Sequence, residues 1–207
     1  MKKNLFIGLF VCLLMVMGNI RTAMAEVLTF DTLGGGNDTL VPSGYGGFNW
    51  NNMDSYFYSD YNTNYQNILT PVSGNVLVYN SNGTSASMSS VNGTKFNFND
   101  AYIAGWTSNN AGWAYNANTV TIDGYNKGVL VDSYTAHLTG SMTDFAVNLK
   151  GVDQVTFTSD GNNKWFVMDN VSTSAVPEPS TYALMGIGGL LLAFKLKKSR
   201  LLSALSA

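Results

Sequence analysis

Sulfur and imidazole chemistry is nearly absent from this chain, which has one cysteine, Cys12, and one histidine, His137, in 207 residues. Cys12 lies in an apolar run near the start, so beyond it there is no thiol for a nucleophile, a disulfide or a zinc-type centre. His137 alternates with Ser133 and Thr135, which predicts a solvent-facing position rather than the buried pairing with an acid that a Ser-His-Asp site requires. Basic charge is also scarce. Seven of the eleven Lys and Arg residues sit at the two ends, and between 26 and 176 four lysines and no arginine face twelve acids, a net charge of −8. Such a region repels phosphate backbones, which excludes nucleic acid as a partner. From 26 to 172 there is no run of Ala, Leu, Glu and Lys at helical spacing, and no compact Asp-x-Asp-x-Asp-Gly loop that would hold calcium by itself.

What is there instead is Asn, Gly, Ser, Thr and Tyr, with apolar residues at a period of two. That pattern predicts strands over 27–31, 46–50, 55–59, 75–79, 95–103, 119–123, 128–139 and 144–150, and around Val155 and Phe157. The clearest is 144–150, where Phe145, Val147 and Leu149 alternate with Ala146, Asn148 and Lys150. In 128–139 the alternation turns Leu130, Tyr134, Ala136 and Leu138 one way, and Trp165 in step with Val167 and Val171 reads as core. Turn dipeptides, Asn82-Gly83, Asn92-Gly93, Asp123-Gly124 and Asp160-Gly161, separate the runs. Many short strands without helical crossovers predict an all-β antiparallel sandwich filling one domain, 26–172. The stretches 34–43 and 60–73 read as loops, the second long enough to bind something.

The ends carry an address. Lys2 and Lys3 precede an apolar run over 5–17, and Ala23-Met24-Ala25 has the small-x-small form of a signal-peptidase site, placing the mature start at Glu26. At the other end Val176 leads into Pro177-Glu178-Pro179, a 173–181 linker that must run extended. An uncharged segment follows over 182–194, predicted as a single hydrophobic helix, then Lys195, Lys197, Lys198 and Arg200, and a tail over 201–207. As a helix the apolar segment rises only about 20 Å, against a hydrocarbon core of about 30 Å, so it spans a membrane only if the basic side chains snorkel. The basic cluster stays cytoplasmic while the domain is exported. Pro-Glu-Pro, apolar segment and basic cluster, in that order near the C-terminus, resemble the PEP-CTERM sorting signal. The resemblance implies reading by exosortase, a membrane cysteine transpeptidase that cuts near the Pro-Glu-Pro. The bland alternative is a plain C-terminal anchor on a proline-rich stalk.

The domain is also similar to jelly-roll, galactose-binding-like modules. The residues that carry this are Leu28-Thr29-Phe30-Asp31, the Gly44 to Trp50 stretch, Val120-Thr121-Ile122-Asp123-Gly124-Tyr125 and Phe166-Val167-Met168-Asp169-Asn170-Val171. Such modules often hold a structural Ca²⁺ between first and last strands, and the resemblance puts Asp31 and Asp169 there. The alternative is that both acids lie exposed or make turn hydrogen bonds. Sugar rings stack on aromatic planes while amides bond their hydroxyls, which makes Trp50, Trp106, Trp113, Tyr45 and Asn109 candidate ligand contacts. Core packing is the competing reading for the tryptophans. No catalytic residues stand out, and no pair of the twelve acids is singled out for glycoside hydrolysis. The expectation is a non-enzymatic surface or matrix component whose ligand is exopolysaccharide. A purely structural or adhesive protein and a glycan-processing enzyme are the alternatives.

Overall fold

A strand with a period of two has one apolar face, which needs a second sheet to bury it. The chain meets that need with two antiparallel sheets packed face to face. The computed structural model describes residues 25–34, 36–59, 69–106 and 116–177, with 186–189, 191 and 195. The chain divides into two compact units, one of them Met24–Val176 and the other made of both ends.

In the first unit the strands are β1 (Ala25–Leu28), β2 (Thr39–Leu40), β3 (Phe48–Asn51), β4 (Met53–Phe57), β5 (Val76–Asn80), β6 (Ala86–Ser90) and β7 (Phe96–Gly105). They continue with β8 (Thr119–Asn126), β9 (Val129–His137), β10 (Thr143–Phe145), β11 (Leu149–Val152), β12 (Gln154–Ser159) and β13 (Phe166–Ala175). An eight-stranded sheet runs β10-β7-β13-β5-β4-β2, with β1 added on β13 and β11 on β7; a five-stranded sheet runs β3-β6-β12-β8-β9. The fold is thus an all-β, antiparallel jelly-roll sandwich. Its core lies between the sheets, where Phe98, Ile103, Phe166 and Met168 meet Met88, Val120, Ile122 and Phe157. Each such side chain contributes about 1.5–3 kcal/mol on burial.

The expected strands exist, with informative departures. The 144–150 strand is broken into β10 and β11 at Asn148, which adopts φ 58° and donates its N–H to Asn99 O at 2.8 Å. Asn tolerates this left-handed conformation, and Val147 and Leu149 still reach the core. The Asp123-Gly124 pair does not turn the chain. β8 continues to Asn126, and Lys127 (φ 52°) and Gly128 (φ 75°) make the hairpin turn. Gly124 is needed for space, since a Cβ there would meet Val152 Cγ1 at 2.7 Å.

A bulge between the Gly124 and Tyr125 pairings interrupts the alternation of β9, so Val129, Leu130 and Val131 stand 68%, 52% and 49% exposed and Leu130 does not face the core. A second shift in β13, at Asn170 (φ 48°), puts Val171 in the core while Val167 and Trp165 belong to the opposite face. β2 lies inside the stretch read as the 34–43 loop, and β6 is a strand that the pattern missed. β13 runs to Ala175, so Thr173, Ser174 and Ala175 are sheet rather than linker.

Candidate functional site

Alternate residues of the eight-stranded sheet point away from the core and build a second apolar cluster on its outer face. Tyr56 from β4, Leu77 and Tyr79 from β5, Val167 from β13 and Ala104 from β7 are buried there with Leu69; Tyr58, Trp106, Met142 and Trp165 pack against them, half-buried. Trp106 meets Tyr56 and Tyr79 edge-on, with ring centroids 5.4 and 5.3 Å away. Its N–H, like that of Ala117, is donated to Trp165 O, at 3.1 and 3.0 Å. Polar groups border the rings. The Tyr79 hydroxyl donates to Asp38, Asp54 is opposite Tyr79 in the register, and buried Asn116 Oδ1 finds no donor. Half-buried indoles beside amide and carboxylate acceptors form the kind of surface on which a ring with apolar C–H faces and polar edges can rest.

The residues singled out from sequence are placed differently from one another. Trp106 lies in this outer cluster. Trp50 is 8% exposed in the sandwich core, its ring met edge-on by Phe30 and Phe48 and its Nε1–H donated to Tyr45 O at 3.0 Å, so packing takes the role expected for ligand contact. Tyr45 is half-buried and stacks on Phe30 at 5.5 Å, remote in the fold from Trp106 because it belongs to the other face. Trp113 and Asn109 lie outside the described residues, as do 60–68 of the candidate binding loop. His137 is exposed at the end of β9. The outer partners Tyr56, Tyr79 and Trp165 were missed, although the near-continuous Val76-Leu77-Val78-Tyr79 run is the mark of a strand covered on both faces.

Asp31 and Asp169 do come together, over the segment 72–76. Asp169 is 0% exposed; its Oδ2 accepts the N–H of Val72 (2.8 Å) and Ser73 (3.1 Å), and its Oδ1 accepts that of Asn170 (2.7 Å). Asp31 Oδ1 accepts the N–H of Asn75 (2.9 Å) and Val76 (3.3 Å), and Oδ2 accepts the Ser73 hydroxyl (3.3 Å). Burial raises the Asp169 pKa to about 6, against the lowering effect of its N–H donors and with a further rise from the charge of Asp31. Asp100 is raised too, by burial and then by Asp144. Calcium needs six to eight oxygens. The backbone that meets Asp31 and Asp169 presents N–H rather than C=O, and no group of three or more acidic, His or Cys side chains assembles among the described residues. The pair as placed does not fit a calcium ion.

At the ends, Ala25 and Glu26 open β1 and pair with Ser174 and Thr173, while Ala23 lies outside the described residues. Val176 donates its N–H to Lys95 O at 3.3 Å and Pro177 follows; Glu178, Pro179, Lys197, Lys198 and Arg200 lie outside the described residues. Residues 186–189, 191 and 195, the last being Lys195, are helical. Among the described residues no helix is long and apolar enough to cross a membrane.

The fold is a jelly-roll sandwich, and three solved structures of similar form are distant from it in sequence. The K2 cleaved adhesin domain of Lys-gingipain is 13% identical, covering 74% of this chain and 100% of that one with a TM-score of 0.45. The Stig cyclase Fisc from Fischerella sp. TAU is 9% identical, covering 74% and 99% with a TM-score of 0.46. A family 29 carbohydrate binding module from Piromyces equi is 9% identical, covering 75% and 93% with a TM-score of 0.40. No curated protein sequence matches the chain. Residues 175–199 match the PEP-CTERM protein-sorting motif. The chain therefore carries a PEP-CTERM sorting signal, which marks it as an exported protein.

Proposed function

We propose that this protein is a non-enzymatic component of the cell surface or extracellular matrix whose jelly-roll domain binds polysaccharide. Signal peptidase releases it at Ala25–Glu26, and exosortase reads Pro177-Glu178-Pro179, the apolar segment and the basic cluster of Lys195, Lys197, Lys198 and Arg200. Until that step the C-terminal segment holds it in the membrane. The sorting motif at 175–199 supports the route. The observation that carries the ligand class is the outer-face cluster, where Trp106 and Trp165 lie half-buried with Tyr56 and Tyr79. Trp113 and Asn109 follow Trp106 closely in sequence and are proposed to extend that surface. The domain charge of −8 favours neutral or cation-bridged glycans over strongly anionic ones.

Catalysis is not part of this reading. Asp169, the carboxyl with the most displaced pKa, is fully buried with both oxygens accepting backbone N–H groups, so no glycosidic bond can approach it. Affinity electrophoresis of the full chain in detergent, through gels containing the host's own polysaccharide and a panel of others, tests the proposal. Retardation that Trp106→Ala weakens roughly tenfold, a loss of about 1.4 kcal/mol, is expected. Unaltered mobility in every polysaccharide would leave a structural or adhesive role without a glycan ligand.

A further inference from the structure

We propose that Asp31 and Asp169 form an internal clasp that pins the 72–76 segment to the last strand without any cation. The proposal is independent of the glycan reading and stands on the direction of the backbone. Four N–H groups of one segment, those of Val72, Ser73, Asn75 and Val76, converge on the two carboxylates, and the Ser73 hydroxyl, with one proton to give, lies 3.3 Å from Asp31 Oδ2 and 2.7 Å from Asn170 Oδ1. Where a cation site turns carbonyl oxygens inward, this segment turns its amide dipoles inward, positive end first. Those dipoles meet the same negative charge that calcium would neutralise.

The segment has no room to be arranged otherwise. Gly74 has φ +50°, and a Cβ on it would lie 1.9 Å from Asp31 Oδ1, so the chain passes flush against the carboxylate. Around Asp169, Asp31 is the charged side chain whose field acts on it; the other neighbours, Ser73 and Asn170, are neutral. The clasp has a structural task. The segment joins Leu69, buried in the outer-face cluster, to β5, which supplies Leu77 and Tyr79 to the same cluster. Holding 72–76 down therefore fixes one border of the aromatic surface.

Thermal unfolding of the full chain in detergent, near neutral pH, first with chelator and then with millimolar calcium, tests this for the wild type, Asp31→Asn and Gly74→Ala. The wild type is expected to melt at the same temperature in both solutions. Asp31→Asn keeps Oδ1 for the Asn75 and Val76 N–H groups and turns its amide to the Ser73 oxygen, while it removes the charge beside Asp169. The bonds that remain lose their charge assistance, and the variant is expected to melt lower than the wild type by the same amount in both solutions. Gly74→Ala is expected to melt lower in both solutions alike. A melting temperature that calcium raises and chelator lowers, or Asp31→Asn and Gly74→Ala chains that both melt as the wild type does, overturns the clasp. The calcium comparison on the wild type decides even if a variant does not fold.

Discussion

Asp169 has a titration that runs against the usual direction for a carboxylate. Its pKa rises from 3.8 to about 6 in the folded protein, so between those values the folded state holds a proton that the unfolded state has lost. The stability linked to this group is complete below about pH 4 and is lost as pH climbs through 6, a swing of roughly 3 kcal/mol at about 1.4 kcal/mol per unit. Asp160 works oppositely: against the rise that burial causes, the Asn118 side-chain amide and then its N–H lower the pKa overall, and its contribution fades as pH falls. Thermal melts from pH 4 to 7, compared between wild type and Asp31→Asn, separate the two, with a shallower decline expected in the variant because the coulombic rise on Asp169 is gone. At a second residue, Gly83 has φ 60° and a Cβ there would lie 2.7 Å from the Asn163 backbone. Gly83→Ala is expected to cost roughly 2 kcal/mol or more in denaturant unfolding, since neither the strained φ nor the contacting backbone can give way cheaply. The resemblance to jelly-roll modules implied that Asp31 and Asp169 come together but not what they hold. Their partners are backbone N–H groups of a segment 44 and 97 residues away, and main-chain donors leave no trace in residue identity.

Among the elements, β9 shows where a periodic pattern misleads. One extra residue at the bulge is enough to turn Val129, Leu130 and Val131 outward on a strand that is also a sheet edge. Leu130→Lys is therefore expected to change unfolding free energy by no more than about 0.5 kcal/mol while reducing self-association in light scattering. On the paired strand, Ile122→Ala, at a fully buried position, is expected to cost roughly 2–5 kcal/mol. Had Leu130 faced the core, both would be severe. The break between β10 and β11 escaped the sequence for a related reason: alternation reports which face a side chain takes, and Val147 and Leu149 keep theirs on either side of Asn148. β6 escaped because Ala86-Ser87-Met88-Ser89-Ser90 has only two apolar side chains, although it sits between β3 and β12. Its place comes from its neighbours' need for a partner, not from its own propensity.

For the whole molecule, the sandwich, the C-terminal sorting motif and the acid-rich domain were all legible. Each is spread over many residues, so that single departures do not erase it. The aromatic surface was half legible. Trp106 was named, but its setting depends on four strands of the sheet, β4, β5, β13 and β7, that no local window contains. β1 and β13 place the first and last strands of the domain next to each other, in the register Ala25↔Ser174 to Leu28↔Val171. Val27 and Ser172 are partners in that register, and beyond Cys12 the chain has no cysteine to compete. Val27→Cys with Ser172→Cys is expected to form a disulfide on export, seen by mobility without reductant, and to raise stability by roughly 2–4 kcal/mol. The same arrangement has a mechanical side. A pull on the chain beyond Val176 loads the domain along the axis of β13. That strand is bonded to β7 from Phe166 to Ala175, to β1 over Val171 to Ser174 at the loaded end, and to β5 over Val167 and Met168 at the far end. Ladder hydrogen bonds run across the strands, so a pull along β13 shears many of them at once instead of opening them one by one. A tether attached this way resists force as a lap joint does, and single-molecule pulling from the C-terminus should meet a higher rupture force than pulling across the β8–β9 hairpin.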